Sequence, residues 1–143
     1  MKKLILILLI LISNPALSQV DESDSNFREF KGKVIGTLGE PLVAQTVMIK
    51  GTQIGGQTDL DGNFCLLLPK GLTVYIEIPL LNYDTFREIK PTDESIVIEL
   101  KKKQNKSSRV VKNWKKRSSD LTRQLQELYK SEEFKKADKK ICR

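Results

Sequence analysis

Few residues of this chain could do chemistry. Asp59-x-Asp61-x-Asn63 sets oxygen donors at alternate positions, the opening spacing of a calcium-binding loop. In such a loop the glycine stands sixth and a bidentate Glu twelfth. Here Gly62 is fourth and Lys70 occupies the twelfth place. The stretch therefore reads as a tight turn built by Asp59, Asp61 and Gly62, because Gly takes the positive φ that such turns demand. The adjacent acids Asp93-Glu94 and Glu132-Glu133 read as solvated charge. The chain has no histidine, which removes the commonest general base and metal ligand together. Its serines lack the usual activating base. The residues point to no catalytic group, no metal, no cofactor and no enzyme.

Two cysteines stand at Cys65 and Cys142. They could bridge the tail to a strand, or Cys65 could behave as a small hydrophobe with Cys142 loose near the end. Two cysteines make no disulfide framework, so the unpaired reading is preferred.

The turn must be held by strands. Lys50 to Pro69 reads as two strands around Asp61-Gly62, a hairpin, with Phe64, Leu66 and Leu68 on one face and Cys65 and Leu67 on the other. Pro69 cannot donate to a ladder and ends the second strand. Seven β-patterned segments lie between Phe30 and Leu100: 32–38, 44–50, 54–58, 62–68, 72–78, 84–89 and 95–100. Many short strands at this spacing favour a sandwich or barrel. The inward set by alternation is Val34, Val47, Ile49, Phe64, Leu66, Val74, Ile76, Ile96 and Ile98, with Leu42 and Tyr83 closing the ends.

The motifs Gly32-Lys-Val34-Ile-Gly36, Gly39-Glu40-Pro41-Leu42, Val47-Met-Ile49-Lys50-Gly51-Thr52 and Thr58-Asp59-Leu-Asp61-Gly62-Asn-Phe64 occur in that order, followed by Asn82-Tyr83. Residues 30–100 thereby resemble the carboxypeptidase regulatory-like domain of Bacteroidetes envelope proteins. Asn82-Tyr83 departs from the family's usual Gly-Tyr. The resemblance implies an all-β, seven-stranded prealbumin/transthyretin-like sandwich, often found as an N-terminal extension of TonB-dependent transporters. It implies no peptidase activity, since those enzymes bind zinc through histidines.

Residues 1–18 read as a signal peptide. Met1-Lys2-Lys3 is the basic start, Leu4 to Ile12 the apolar run, and Ala16-Leu17-Ser18 the small-x-small site. Cleavage falls between Ser18 and Gln19. The run is about half the ~20 residues a spanning helix needs, so the mature chain carries no transmembrane segment. This places the protein in the periplasm or at the outer membrane. Residues 19–29 form a polar, acidic lead-in.

From Lys101 to Arg143 the composition shifts, with 16 Lys or Arg against 5 Asp or Glu, while Phe30 to Leu100 has 6 against 9. The tail, residues 101–143, follows a helical period. Val110, Val111, Trp114, Leu121, Leu125, Leu128 and Tyr129 fall on one stripe, with Ser107 as a possible N-cap. Phe134 and Ile141 fall off it. Two readings stay open. The sandwich edge or loops, together with the C-terminal amphipathic α-helix, could contact an anionic membrane surface or an envelope protein, the helix through Val110, Trp114, Lys115, Lys116, Leu121, Leu125, Leu128 and Tyr129. Alternatively, the helix packs the stripe on its own sandwich and shows a solvated basic face. Nucleic acid is not an expected partner of an exported protein. A weaker alternative is glycan binding through Tyr75, Tyr83 and Phe86.

Overall fold

The computed structural model describes residues 25–104, 108–139 and 142; the stretch read as a signal peptide, with Ser18 and Gln19, lies outside them, as do Ser107 and Ile141. Seven strands are followed by two helices: β1 Phe27–Ile35, β2 Thr46–Ile49, β3 Gly55–Gln57, β4 Asn63–Pro69, β5 Val74–Glu77, β6 Arg87–Ile89, β7 Ser95–Glu99, α1 Arg109–Lys130 and α2 Glu132–Asp138. The strands form two sheets, ordered β4-β1-β7 and β3-β2-β5-β6. β1 runs antiparallel to β4 and parallel to β7.

Alternation along each strand builds the core between the sheets. Phe30, Val34, Phe64, Leu66, Leu68 and Ile98 of the first sheet meet Val47, Ile49, Val74, Ile76 and Ile89 of the second, and all are buried. Of the expected inward set only Ile96 is half-buried, and Leu42 and Ile96 both pack against the rim of the core. Tyr83 bridges to Lys102 at one end.

Two features differ from the sequence reading. β1 begins at Phe27, inside the stretch read as a polar lead-in. Phe27 packs on Tyr129 and Phe134, with ring centroids 5.6 and 5.4 Å away, and these partners come from a hundred residues further on. Arg28 extends the strand's anchorage by donating to the carbonyls of Asp93 (2.5 Å) and Lys90 (3.0 Å).

The second difference is at Asp61-Gly62. The expected hairpin is a corner between sheets, since β3 pairs with β2 and β4 pairs with β1. Thr58 explains this. It is buried, its hydroxyl donates to Leu42 O (2.6 Å) and accepts from Gln45 N–H (2.8 Å), and so it fixes the end of β3 to the β1–β2 loop. The turn then carries the chain across to the other sheet. Within it one Asp59 oxygen accepts the N–H groups of Asp61 (2.9 Å) and Asn63 (2.8 Å). Gly62 sits at φ +78, where a Cβ would also lie 2.5 Å from Val34 O, so only glycine fits. Among the described residues, Asp61 contributes its N–H and its carboxylate holds no backbone amide.

Candidate functional site

The tail packs onto the sandwich, and the residues exposed by that packing form the candidate site. α1 is capped by Ser108, whose hydroxyl accepts from Val111 N–H at 3.3 Å, one residue after the expected cap. Its stripe faces the protein. Leu121, Leu125 and Tyr129 are buried, and Val110, Trp114 and Leu128 are half-buried against the core. This corrects the reading of Leu121, Leu125 and Tyr129 as surface contacts, since the core already occupies them; Val110, Trp114 and Leu128 keep part of their surface open. The reason lies in the outward faces of the strands. Tyr75 and Leu67 point away from the inter-sheet core and are themselves apolar, so a cover is needed. Trp114 meets the Tyr75 and Phe86 rings edge-on at 5.5 and 6.4 Å.

The path of α1 also resolves an edge problem. Val34 N–H donates to Gly62 O and Lys70 N–H to Asn26 O, so the even-numbered residues of β4 face β1. The odd-numbered ones turn their backbone groups to the free edge. There the Tyr129 hydroxyl donates to Leu67 O at 2.8 Å, and burial holds its phenol well above the ordinary 10.0. Pro69 has no N–H to leave exposed. The helix end and the proline together blunt the edge strand. Gly51, at φ +86, permits this crossing: a Cβ there would lie 2.5 Å from Thr122 Oγ1 and 3.0 Å from Trp114.

After Tyr129 the face changes. Ser131 caps α1 and then opens α2, its hydroxyl accepting from Phe134 N–H at 3.2 Å. The phase slip that left Phe134 off the stripe is a new helix. Phe134 and Ala137 are buried on the outer side of the β4-β1-β7 sheet. The Glu133 carboxylate accepts from the Asn26 backbone and amide, and the backbone bond holds its carboxyl below the usual range.

Beyond α2, Cys142 is disulfide-bonded to Cys65. This corrects the unpaired reading. The outward Cys65 faces the returning tail, and the Cα atoms are 5.3 Å apart, within bridging range. Glu29 lies within 4.8 Å of both sulfurs. With the sulfurs joined to each other, they offer no thiolate pair to a metal. A cleft of about 590 Å³ opens beside the bridge between β3, β4 and α2, with Glu29, Gln57, Asn63 and Asp138 on its walls.

Of the expected contact set, Lys115 and Lys116 remain exposed, with Arg109, Lys112, Arg117, Arg123 and Lys130 on the same helix. The possible glycan platform is not available as a whole: Tyr75 is fully buried and its hydroxyl donates to Glu88 at 2.8 Å. Where the start of α1 passes the β5–β6 loop, a groove of about 440 Å³ runs between Leu80, Leu81, Val111, Trp114, Lys103 and Lys115. Lys103 N–H donates to Asn82 O and Asp84 N–H to Lys101 O, both at 2.7 Å, so this corner is tied by backbone bonds. The sequence pointed to Lys115 but not to Leu81 or Lys103, whose meeting depends on tertiary structure. No described helix is long and apolar enough to cross a membrane.

Comparison with known proteins agrees with this architecture. The chain is similar to the TonB-dependent receptor SusC of Bacteroides thetaiotaomicron, 49% identical over 41 residues. That stretch is 29% of this chain and 4% of the receptor, so the chain spans a small fraction of that relative's length. The profile of the CarboxypepD_reg-like domain matches residues 30–112, more than half of the sequence, and the chain belongs to the CarboxypepD_reg-like domain family.

Proposed function

We propose that this protein is an exported, non-enzymatic interaction module of the cell envelope, with a transthyretin-like sandwich as scaffold and the basic face of α1 as its contact. The observation that carries the reading is the fixed orientation of α1. Its apolar stripe is buried, so Arg109, Lys112, Lys115, Lys116, Arg123 and Lys130 are displayed from a rigid support. Cations on a pre-ordered helix attract an anionic surface with little loss of freedom on contact. The family supports an accessory rather than a catalytic role. The likeness to a TonB-dependent receptor supports the envelope, and the basic start, apolar run and Ala16-Leu17-Ser18 site support export with Gln19 as the mature N-terminus.

Cell fractionation tests this. The processed protein should sediment with envelopes at low salt and be released at 0.5–1 M salt, where the Debye length falls to roughly 3–4 Å. Recovery in the soluble fraction at low salt would overturn the reading. A second reading is that the tail serves only to complete its own domain. Burial of Leu121, Leu125, Tyr129 and Phe134 favours it, and it predicts a folded protein with no affinity for envelopes at any salt.

A further inference from the structure

We infer that the corner of the sandwich around Leu81 is a docking site for a bilayer of anionic phospholipid. This rests on the reading of an anionic envelope contact and names its partner and place. Five large apolar side chains are exposed among the described residues, and Leu81 is 88% exposed at the tip of the β5–β6 loop. Beside it runs the groove to Val111 and Trp114, with Lys103 and Lys115 on its wall, and Lys102 bridges to Tyr83 next to it. Among the described residues none of these three lysines has an ion-pair partner. The acids at the same corner are engaged, Glu77 with Lys50 at 2.5 Å and Asp84 with Arg87 at 3.6 Å. The corner therefore presents an apolar tip ringed by unpaired cations. That combination suits the boundary between phosphate headgroups and acyl chains.

Charge on α1 points the same way. Its first turn holds no acid, and it carries Arg109, with Lys112 beside it. Cations at the positive end of a helix are electrostatically unfavourable, and an anionic surface relieves that. The neighbouring corner of the same end supplies a contrast. Leu38 and Leu60 are 92% and 81% exposed, on loops joined near their bases by the bond from Ala44 N–H to Thr58 O. Their neighbours are Glu40, Asp59 and Asp61, which an anionic bilayer repels. The chemistry commits to one corner and one orientation.

Vesicle flotation tests it, using the chain from Gln19, since the apolar run at Leu4 to Ile12 would anchor by itself. Vesicles of phosphatidylglycerol and phosphatidylcholine at 3:7 should carry the protein up, and pure phosphatidylcholine should not. Each lysine near an anionic surface contributes a factor of about five in affinity, so Lys103→Gln/Lys115→Gln should weaken binding on the order of 25-fold. Leu81→Asp should weaken it at least tenfold, while Leu60→Asp should leave it unchanged. All four substituted positions are on the surface, and an unaltered melting temperature of the three variants establishes that the fold is kept. Absence of binding to the anionic vesicles, equal binding to the neutral ones, or full binding by Leu81→Asp would each overturn the proposal. Salt-releasable envelope association without vesicle binding would overturn this site alone and leave a protein partner as the anionic surface.

Discussion

Tyr129 shows how much one side chain can depend on distant sequence. Its ring lies on the helical stripe and was readable from spacing. Its hydroxyl ends at Leu67 O, an acceptor exposed only by the register of β4 against β1. Tyr129→Phe keeps the ring and leaves that carbonyl without its donor, which should lower stability by about 1–2 kcal/mol in urea unfolding at pH 7. Alkaline pH makes the role specific. Burial raises the folded phenol above 10.0, so the native state keeps a proton that the unfolded state releases. The stability from this group is whole below about pH 10 and falls as pH rises beyond it. The advantage of Tyr129 over Phe should therefore shrink above pH 10, and a gap constant to pH 11 would contradict a buried phenol.

At the level of elements, seven strands and a helical tail were legible because alternation and period are local. What was not legible is contact between distant stretches. Phe27 read as part of an acidic lead-in because its partners, Tyr129 and Phe134, lie in the helices. Phe134 looked out of phase because Ser131 restarts the helix, and a serine alone did not distinguish a cap from a surface residue. A bridge between Cys65 and Cys142, 77 residues apart, was the less favoured of two readings, because only the path of α2 brings the chain back to β4. Both helices thus count as parts of the core. Leu125→Ala, at a fully buried position, should lower stability by about 3 kcal/mol, within the range for Leu deletions in cores. Closing so long a loop constrains the unfolded chain by about 4.5 kcal/mol in the chain-entropy limit, and measured effects usually fall below that. Reducing the wild type should therefore lower its urea stability by about 2–4 kcal/mol, and Cys142→Ser should show the same loss with no further response to reductant. Unchanged stability of Leu125→Ala would mean that α1 lies loosely on the sheets.

For the whole molecule, the charge is divided as the fold is: a slightly acidic sandwich under a strongly basic tail. Deleting the tail cannot tell a docking helix from a structural one. Removing residues after Lys103 uncovers Phe27, Leu67 and Tyr75, and the 77 residues from Phe27 to Lys103 bury too little surface for a robust domain. Loss of envelope association would then follow from unfolding alone. Charge reversal on the solvent face separates the roles. Lys112→Glu/Lys116→Glu touches exposed positions only, so stability should stay within about 0.5 kcal/mol of wild type. An acid in the first turn of α1 also agrees better with the helix dipole than a lysine does. If the basic face is the contact, this variant should melt like the wild type and be recovered largely in the soluble fraction at low salt. If it sediments with envelopes as the wild type does, the cations of α1 are ordinary solvated charge and the tail is only the cover of its own sandwich.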